Sequence, residues 1–375
     1  MAFARTERRR ALAIRKAAYL LFLLTPTLMP AALHLGVLTG LRDLMAWYPV
    51  FWVFGLIPLL DHLIGEDRVN PDEATETREM QEEAYYRALT LVAVPIQAAL
   101  LGWAAWIFTH WDFGFWGKAG WLVSMGVVSG VNAINIAHEL VHRHGRLEPW
   151  AGGLLLSLVA YAGFKVEHVR GHHVNVSTPM DASSSRFGQS LYAFLPHAWK
   201  WNFLNAWTLE AERLARRGLP AFHWRNELIW WYCLTALVAA ALTWAFGWAG
   251  LLFFAGQSFV AFTELEIINY VEHYGLHRRR RPDGRYERTT HQHSWNSSHL
   301  LTNLFLFQLQ RHSDHHAHPA RRYQVLRHFD DSPQLPAGYA TMVLLALVPP
   351  LWRRVMDPRV EAYYRGEPGA LAPLY

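Results

Sequence analysis

The chain has a single cysteine, Cys233, in 375 residues. That excludes a disulfide scaffold, a Cys-ligated zinc ribbon, an iron–sulfur cluster and a rubredoxin centre within it. Charge is also scarce. Asp, Glu, Lys and Arg make up 17% of residues, against about a quarter in soluble domains, too few to clothe a surface in water. No internal repeat or low-complexity linker is evident. The net charge of +5 is modest, and the basic residues gather beside apolar stretches rather than over a folded face, which excludes a nucleic-acid partner. What is plentiful is apolar: 52% hydrophobic residues, with 18 Trp, 15 Tyr and 20 Phe, exclude disorder. Against that background stand 21 histidines.

Six stretches are long and apolar enough to cross a bilayer, which takes about 20 helical residues: roughly 19–41, 45–64, 88–108, 119–137, 228–246 and 250–271. The first follows Arg8, Arg9 and Arg10 as a signal peptide would, but its apolar run is too long for one, so it reads as an uncleaved span. Pro26, Pro30, Pro58 and Pro95 fall inside spans, where neighbouring helices can satisfy the freed carbonyls. Residues 1–16 hold six Lys and Arg, whereas six crossings would leave only Arg42 and Lys118 on the opposite side. That asymmetry puts both termini in the cytoplasm of an inner-membrane protein. A seventh apolar run, 150–166, is at the short limit for a span and separates His138 and His142 from His168, His172 and His173. If those histidines share a site, it must dip and return as a re-entrant or shallow hairpin. The run 339–352, broken by Pro349 and Pro350, reads as an interfacial helix. The expected architecture is therefore all-α and polytopic: six transmembrane helices with a cytoplasmic helical cap, one domain over 1–375, with 358–375 as a tail or linker.

Four short runs at the cytoplasmic ends of spans carry the chemistry. His138-Glu139-Leu140-Val141-His142 places two imidazoles at i and i+4, neighbours on one helix face. Glu167-His168-Val169-Arg170-Gly171-His172-His173 repeats that spacing and adds a third histidine. Arg311-His312-Ser313-Asp314-His315-His316 supplies i, i+3 and i+4, and Glu272-His273 leaves the sixth span with one more. Nine histidines exceed what one four-coordinate zinc can use. They suit two metals of five or six sites each, with positions left open. Each run also carries an acid: Glu139, Glu167, Glu272 or Asp314. Ligand histidines usually donate their second N–H to such a group, so these acids are orienters first and ligands second. Glu264, inside the sixth span, could balance the charge of two cations held by neutral imidazoles. Imidazole suits iron, zinc and copper alike. The ligand count and the absence of any other redox centre favour iron.

The runs HELVHRHG at 138–145, EHVRGHH at 167–173, NYVEHYGL at 269–276 and LQRHSDHH at 309–316 resemble those of the integral-membrane alkane 1-monooxygenases, within the histidine-box desaturase and hydroxylase superfamily. The resemblance covers nearly the whole chain, and the third and fourth runs are its most specific parts. It implies a non-haem di-iron centre that hydroxylates a terminal methyl group with O2: R–CH3 + O2 + 2e⁻ + 2H⁺ → R–CH2OH + H2O. Carried over by position, the ligands are His138, His142, His168, His172, His173, His273, His312, His315 and His316. Glu139, Glu264, Glu272 and Asp314 are the candidate catalytic carboxylates.

Nothing in the chain binds flavin, haem or a cluster, so electrons must come from outside. The resemblance implies reduced rubredoxin, served by an NAD(P)H-rubredoxin reductase. Arg278, Arg279, Arg280 and Arg281, with Arg321 and Arg322, would offer an acidic carrier a positive surface. A linear alkane from the bilayer offers no hydrogen-bond handle, so recognition must be apolar, with Trp52, Phe54 and Leu56 as lining candidates. Three rivals remain: a xylene-type hydroxylase, a fatty-acyl desaturase or hydroxylase, and an intramembrane zinc protease reading His138–His142 as HExxH with Glu139 as base. The last leaves seven histidines unexplained.

Overall fold

The structure is a computed structural model and describes residues 2–364. The end of the expected tail, 365–375, lies outside the described residues. In chain order the helices are α1 (Thr6–Thr39), α2 (Tyr48–Ile64), α3 (Glu76–His110), α4 (Phe115–Val141), α5 (Leu147–Ser157), α6 (164–175), α7 (Leu191–Ala215), α8 (Glu227–His273), α9 (Leu300–Phe305), α10 (His312–Ala317), α11 (Tyr339–Ala346) and α12 (Pro349–Tyr363). Extended pairing among the described residues is limited to isolated bridges. By length and composition α1, α3, α4 and α8 could each cross a membrane; α2 is apolar but shorter. The tail expected from 358 begins inside α12, whose helical pattern continues to Tyr363.

Helix α8 has 47 residues, which laid straight would measure about 70 Å. It is not straight. Asn226 caps its start, its Oδ1 accepting from the Leu228 N–H at 2.9 Å. Gly247 then adopts φ +64°, a left-handed conformation open to glycine. A Cβ on Gly250 would collide with the carbonyl oxygen of Leu242, eight residues earlier. Only a chain that folds back at Gly247 brings those atoms together, so 228–246 and 250–271 are two arms of a hairpin.

Polar clamps hold α3, α4 and α8 together deep between their ends. Gln97 Nε2 donates to Ser129 Oγ at 2.9 Å, Ser129 Oγ donates to Gln257 Oε1 at 2.9 Å, and Gln257 Nε2 reaches the Leu158 carbonyl at 3.1 Å. Such bonds contribute roughly 0.6–2 kcal/mol each between apolar helices. Leu158 closes α5, which packs against α4 through Gly152, where a side chain would strike Val141 and Ala137. The chain then turns through Ala160 and Tyr161, and Phe164 lies against the ring of His168 at 4.5 Å. The segment 150–166 thus descends beside α4 and comes back, bringing the histidines on either side of it to one place.

The tail is more than a surface helix. Tyr339, Met342, Val343 and Ala346 of α11, and Trp352, Met356 and Val360 of α12, are buried in a cluster with Tyr270 of α8 and Tyr274 just after it. Large exposed aromatics gather at both ends of the long helices: Trp106, Phe115, Trp116, Trp244 and Trp248 at one, Trp150, Trp224 and Trp230 at the other. Amphipathic rings favour that level at a membrane interface.

Candidate metal centre

All nine histidines converge. His138, His142, His168, His173 and His315 form one group, and His172, His273, His312 and His316 a second; within each, the ligand nitrogens lie within 4.8 Å of one another. His144 and His318 stay outside both groups. In the first group His142 Nε2 lies 2.9 Å from His168 Nε2, which is 3.1 Å from His173 Nε2, itself 3.1 Å from His315 Nε2. In the second, His316 Nε2 lies 2.8 Å from His312 Nε2 and 3.2 Å from His172 Nε2.

Local helix geometry explains the sorting. Residues 168–172 form a π-helical turn, as do 130–135 in α4 just ahead of His138. In a π-turn i and i+5 are the bonded neighbours. The i, i+4 spacing of His168 and His172 therefore does not put them together: His168 shares its group with His173, and His172 turns to the other. On the α-helical α10 the i, i+4 pair His312 and His316 does stay together, while His315 faces the first group.

The donor set fits metal ions. Two nitrogens each roughly 2.1 Å from one metal and at right angles to it stand about 3 Å apart, the spacing found here between pairs that cannot all hydrogen-bond. His138 Nε2 and His273 Nε2 are buried with no partner at all. Burial, reinforced by neighbouring imidazoles, pushes His142, His168, His173, His312, His315 and His316 well below the ordinary histidine pKa. Neutral imidazole is the form a metal takes.

The acids behave differently from expectation. Glu139 pairs with Arg143 at 3.1 Å and accepts from the Tyr323 N–H at 3.5 Å, and Asp314 accepts from Arg321 at 2.9 and 3.0 Å and from the Arg327 N–H at 2.9 Å. Each locks a histidine-bearing helix to the loop around 320–323; neither meets a ligand nitrogen. Glu272 does, but on the metal-facing side: its Oε2 is 3.1 Å from His312 Nε2, and its Oε1 accepts from Tyr339 Oη at 2.7 Å. Glu264 joins neither group. It stands against Gly130, eight residues before His138 on α4, on the wall of the cavity described below. The orienting acid that the sequence reading missed is Asp181, whose Oδ2 lies 2.9 Å from His172 Nδ1 and accepts from Ser184 Oγ at 2.5 Å. Its only sequence signal was a carboxylate eight residues beyond His173. Arg311, also missed, is wholly buried beside His312, donates to the carbonyls of Leu326 and Asp67 at 2.7 Å, and is pulled by burial down to about 9.

The cationic surface also needs correction. Arg278 is buried, donating to the carbonyls of Val174 and Glu287. Arg321 is engaged by Asp314 and Glu73, and Arg322 by Glu148. What is exposed is a turn around 279–288 bearing Arg279, Arg280, Arg281, Arg285 and Arg288, closed by the Arg280–Tyr286 bridge and held through Arg278 one residue from His173.

An apolar cavity leads to the histidines. Trp52, Phe54 and Ile57 line one part, Ile134, Leu265 and Ile268 another, and His138 and His312, one from each group, the part beside the metal site. Leu56, the third expected lining residue, is absent from this wall and faces outward, 40% exposed.

Histidine groups in a bundle of long apolar helices define a class, and comparison with known proteins agrees. The fatty acid desaturase family profile matches residues 113–346. The chain is 60% identical to alkane 1-monooxygenase 2 of Pseudomonas aeruginosa and 57% identical to alkane 1-monooxygenase 2 of Alcanivorax borkumensis, in each case over about 95% of this chain and 94–95% of the relative. The xylene/toluene monooxygenase hydroxylase component of Pseudomonas putida is 29% identical over 62% of both chains. This chain belongs to the alkane 1-monooxygenase family.

Proposed function

We propose that the protein is a membrane alkane 1-monooxygenase with two irons, one in each histidine group, using O2 and electrons from reduced rubredoxin. The observation that carries this reading is the pairing of the two histidine groups with an apolar cavity running to both. Six crossings follow if α1, α2, α3, α4 and the two arms of α8 each traverse the bilayer, with both termini and the histidines at the cytoplasmic side, the chain forming one domain. With the metals bound, the centre supplies oxygen activation and cleavage of the methyl C–H bond.

The rest is done by side chains. Ile134, Leu265 and Ile268 exclude water and hold the chain by shape. Glu272, steadied by Tyr339, is the carboxylate beside a ligand nitrogen and the candidate to hold a proton there. Glu139 and Asp314 act as positioning residues through Arg143 and Arg321. The zinc-protease alternative would need Glu139 free to act as base, and Glu139 is held by Arg143.

Metal analysis of the purified protein tests the core of this reading: about two irons per chain with little zinc, and octane converted to octan-1-ol with rubredoxin, its reductase and NADH. One zinc and no iron would overturn it. Two further outcomes follow. Trp52, edge-on to Phe305 at 5.1 Å, lines the cavity, so Trp52→Ala should raise turnover of longer alkanes relative to octane by about tenfold, since each methylene is worth about 1–3 kcal/mol. Competition between octane and hexadecane reads the ratio; an unchanged ratio removes Trp52 from the wall. Reversal of Arg280, Arg281 and Arg285 to Glu should raise KM for rubredoxin about tenfold at low salt and flatten its salt dependence. Unaltered KM and salt response would place docking elsewhere.

A further inference from the structure

We propose, resting on the reading of the two histidine groups as two metal sites, that Glu227 and Glu210 are positioning residues: by holding Arg170 they keep residues 168–172 in the π form and so decide which of His172 and His173 serves which metal. The turn needs such a device. A π-turn carries one residue more than the α-helix on either side of it and is rare. In an α-helix two residues five apart point about 140° away from each other, which would turn His173 away from His168. Here the His173 N–H bonds to the His168 carbonyl, and the two imidazoles meet, Nε2 to Nε2 at 3.1 Å.

A second pair of residues with the same spacing is gathered by one carboxylate. Lys165 and Arg170 converge on Glu227, the first residue of α8: Lys165 Nζ pairs with its Oε2, and Arg170 Nη2 donates to its Oε1 at 2.6 Å. A carboxylate with one cation on each oxygen holds together two side chains that a regular α-helix would splay apart. The other terminal nitrogen of Arg170, Nη1, donates to Glu210 Oε2 at 2.7 Å. Glu210 is wholly buried on α7 and is itself fixed by Arg213 Nε at 2.7 Å and by the Glu227 N–H at 3.0 Å. Arg213 also holds the Arg225 carbonyl at 2.7 Å, so α7 and the start of α8 form one platform. Gly171 lets the turn approach it, since a Cβ there would lie 3.1 Å from Leu209 Cδ1 on α7 and 2.6 Å from Glu167 Oε1. Exposed ion pairs contribute little, but this one cannot open without stranding the charge of a buried carboxylate. The planar fork of an arginine can serve two carboxylates at once, as the point charge of a lysine cannot.

The test compares the whole iron-loaded protein with Arg170→Met, Arg170→Lys and Glu227→Gln, reading iron content, octane turnover and the Mössbauer spectrum of the reduced protein. Arg170→Met should keep most of its iron, lose turnover about tenfold or more, and shift the quadrupole doublets of both irons, because an exchange of His172 for His173 alters both groups at once. Glu227→Gln should move the spectrum in the same direction but less, since Glu210 still holds Arg170. Arg170→Lys should fall between Arg170→Met and wild type, a partial rescue by charge without the fork. Should Arg170→Met fail to accumulate, Arg170→Lys and Glu227→Gln carry the same comparison. Doublets that stay at their wild-type positions overturn the clamp whatever the turnover, and so does a shift confined to one iron. Iron lost with the remaining doublets unmoved is the mark of mere structural support and overturns it as well. Wild type that takes up no iron would instead overturn the two-metal reading, before any variant is compared.

Discussion

His273→Ala should remove about one metal ion per chain and lower alkane hydroxylation by a hundredfold or more. The expectation rests on the unequal division of the nine histidines. His273 belongs to the group of four with His172, His312 and His316, and its loss leaves three imidazoles, with Glu272 near only one of them. A site kept open for reactants has no ligand to spare. His142→Ala removes one of five and leaves His138, His168, His173 and His315, so this variant should keep nearly two metals while losing activity. Metal content by mass spectrometry and octane turnover on the same preparations separate the two cases. If His273→Ala retained two metals and wild-type turnover, the group of four would not be a metal site. Equal metal loss in both variants would mean that the division into five and four does not describe the loaded protein.

That division could not be read in the sequence, although the nine histidines could. Their spacing is a local property, and 3.6 residues per turn is enough to see that His138 and His142, or His312 and His316, share a face. The split of 168, 172 and 173 depends on a π-turn, which no residue in Glu167–His173 announces; one extra residue in the turn exchanges His172 for His173. The spans were visible because bilayer thickness sets a length that composition reveals, and the break between 228–246 and 250–271 falls where Gly247 folds the chain back. Charges were the least legible. Arg278, Arg321 and Arg322 look like solvated surface in a list of basic residues, yet Val174 and Glu148, more than a hundred residues away in sequence, claim Arg278 and Arg322, and Asp314, brought round by the turn after α10, claims Arg321. Glu139 and Asp314 were judged by adjacency to histidines, whereas a helix turns adjacent side chains about 100° apart and sent both acids to arginines.

Asp181 is where that lesson has the largest functional consequence, and Asp181→Ala should lower metal retention and turnover by about 10- to 100-fold. Its carboxylate lies 2.9 Å from His172 Nδ1, and a proton on Nδ1 leaves the Nε2 lone pair directed at the group formed with His273, His312 and His316. Asp181 is 5% exposed and also takes the Ser184 hydroxyl, so its removal strands two donors in a water-poor pocket. Asp181→Asn keeps an acceptor oxygen but not the charge and should fall between alanine and wild type. The distinguishing readout is a chelator challenge: one of the two metals should leave faster from the alanine variant while the metal held by the group of five leaves at the wild-type rate. A merely structural role for Asp181 would loosen both metals together. His172→Ala combined with Asp181→Ala should cost no more than His172→Ala alone, because an orienting carboxylate has no function once its imidazole is gone.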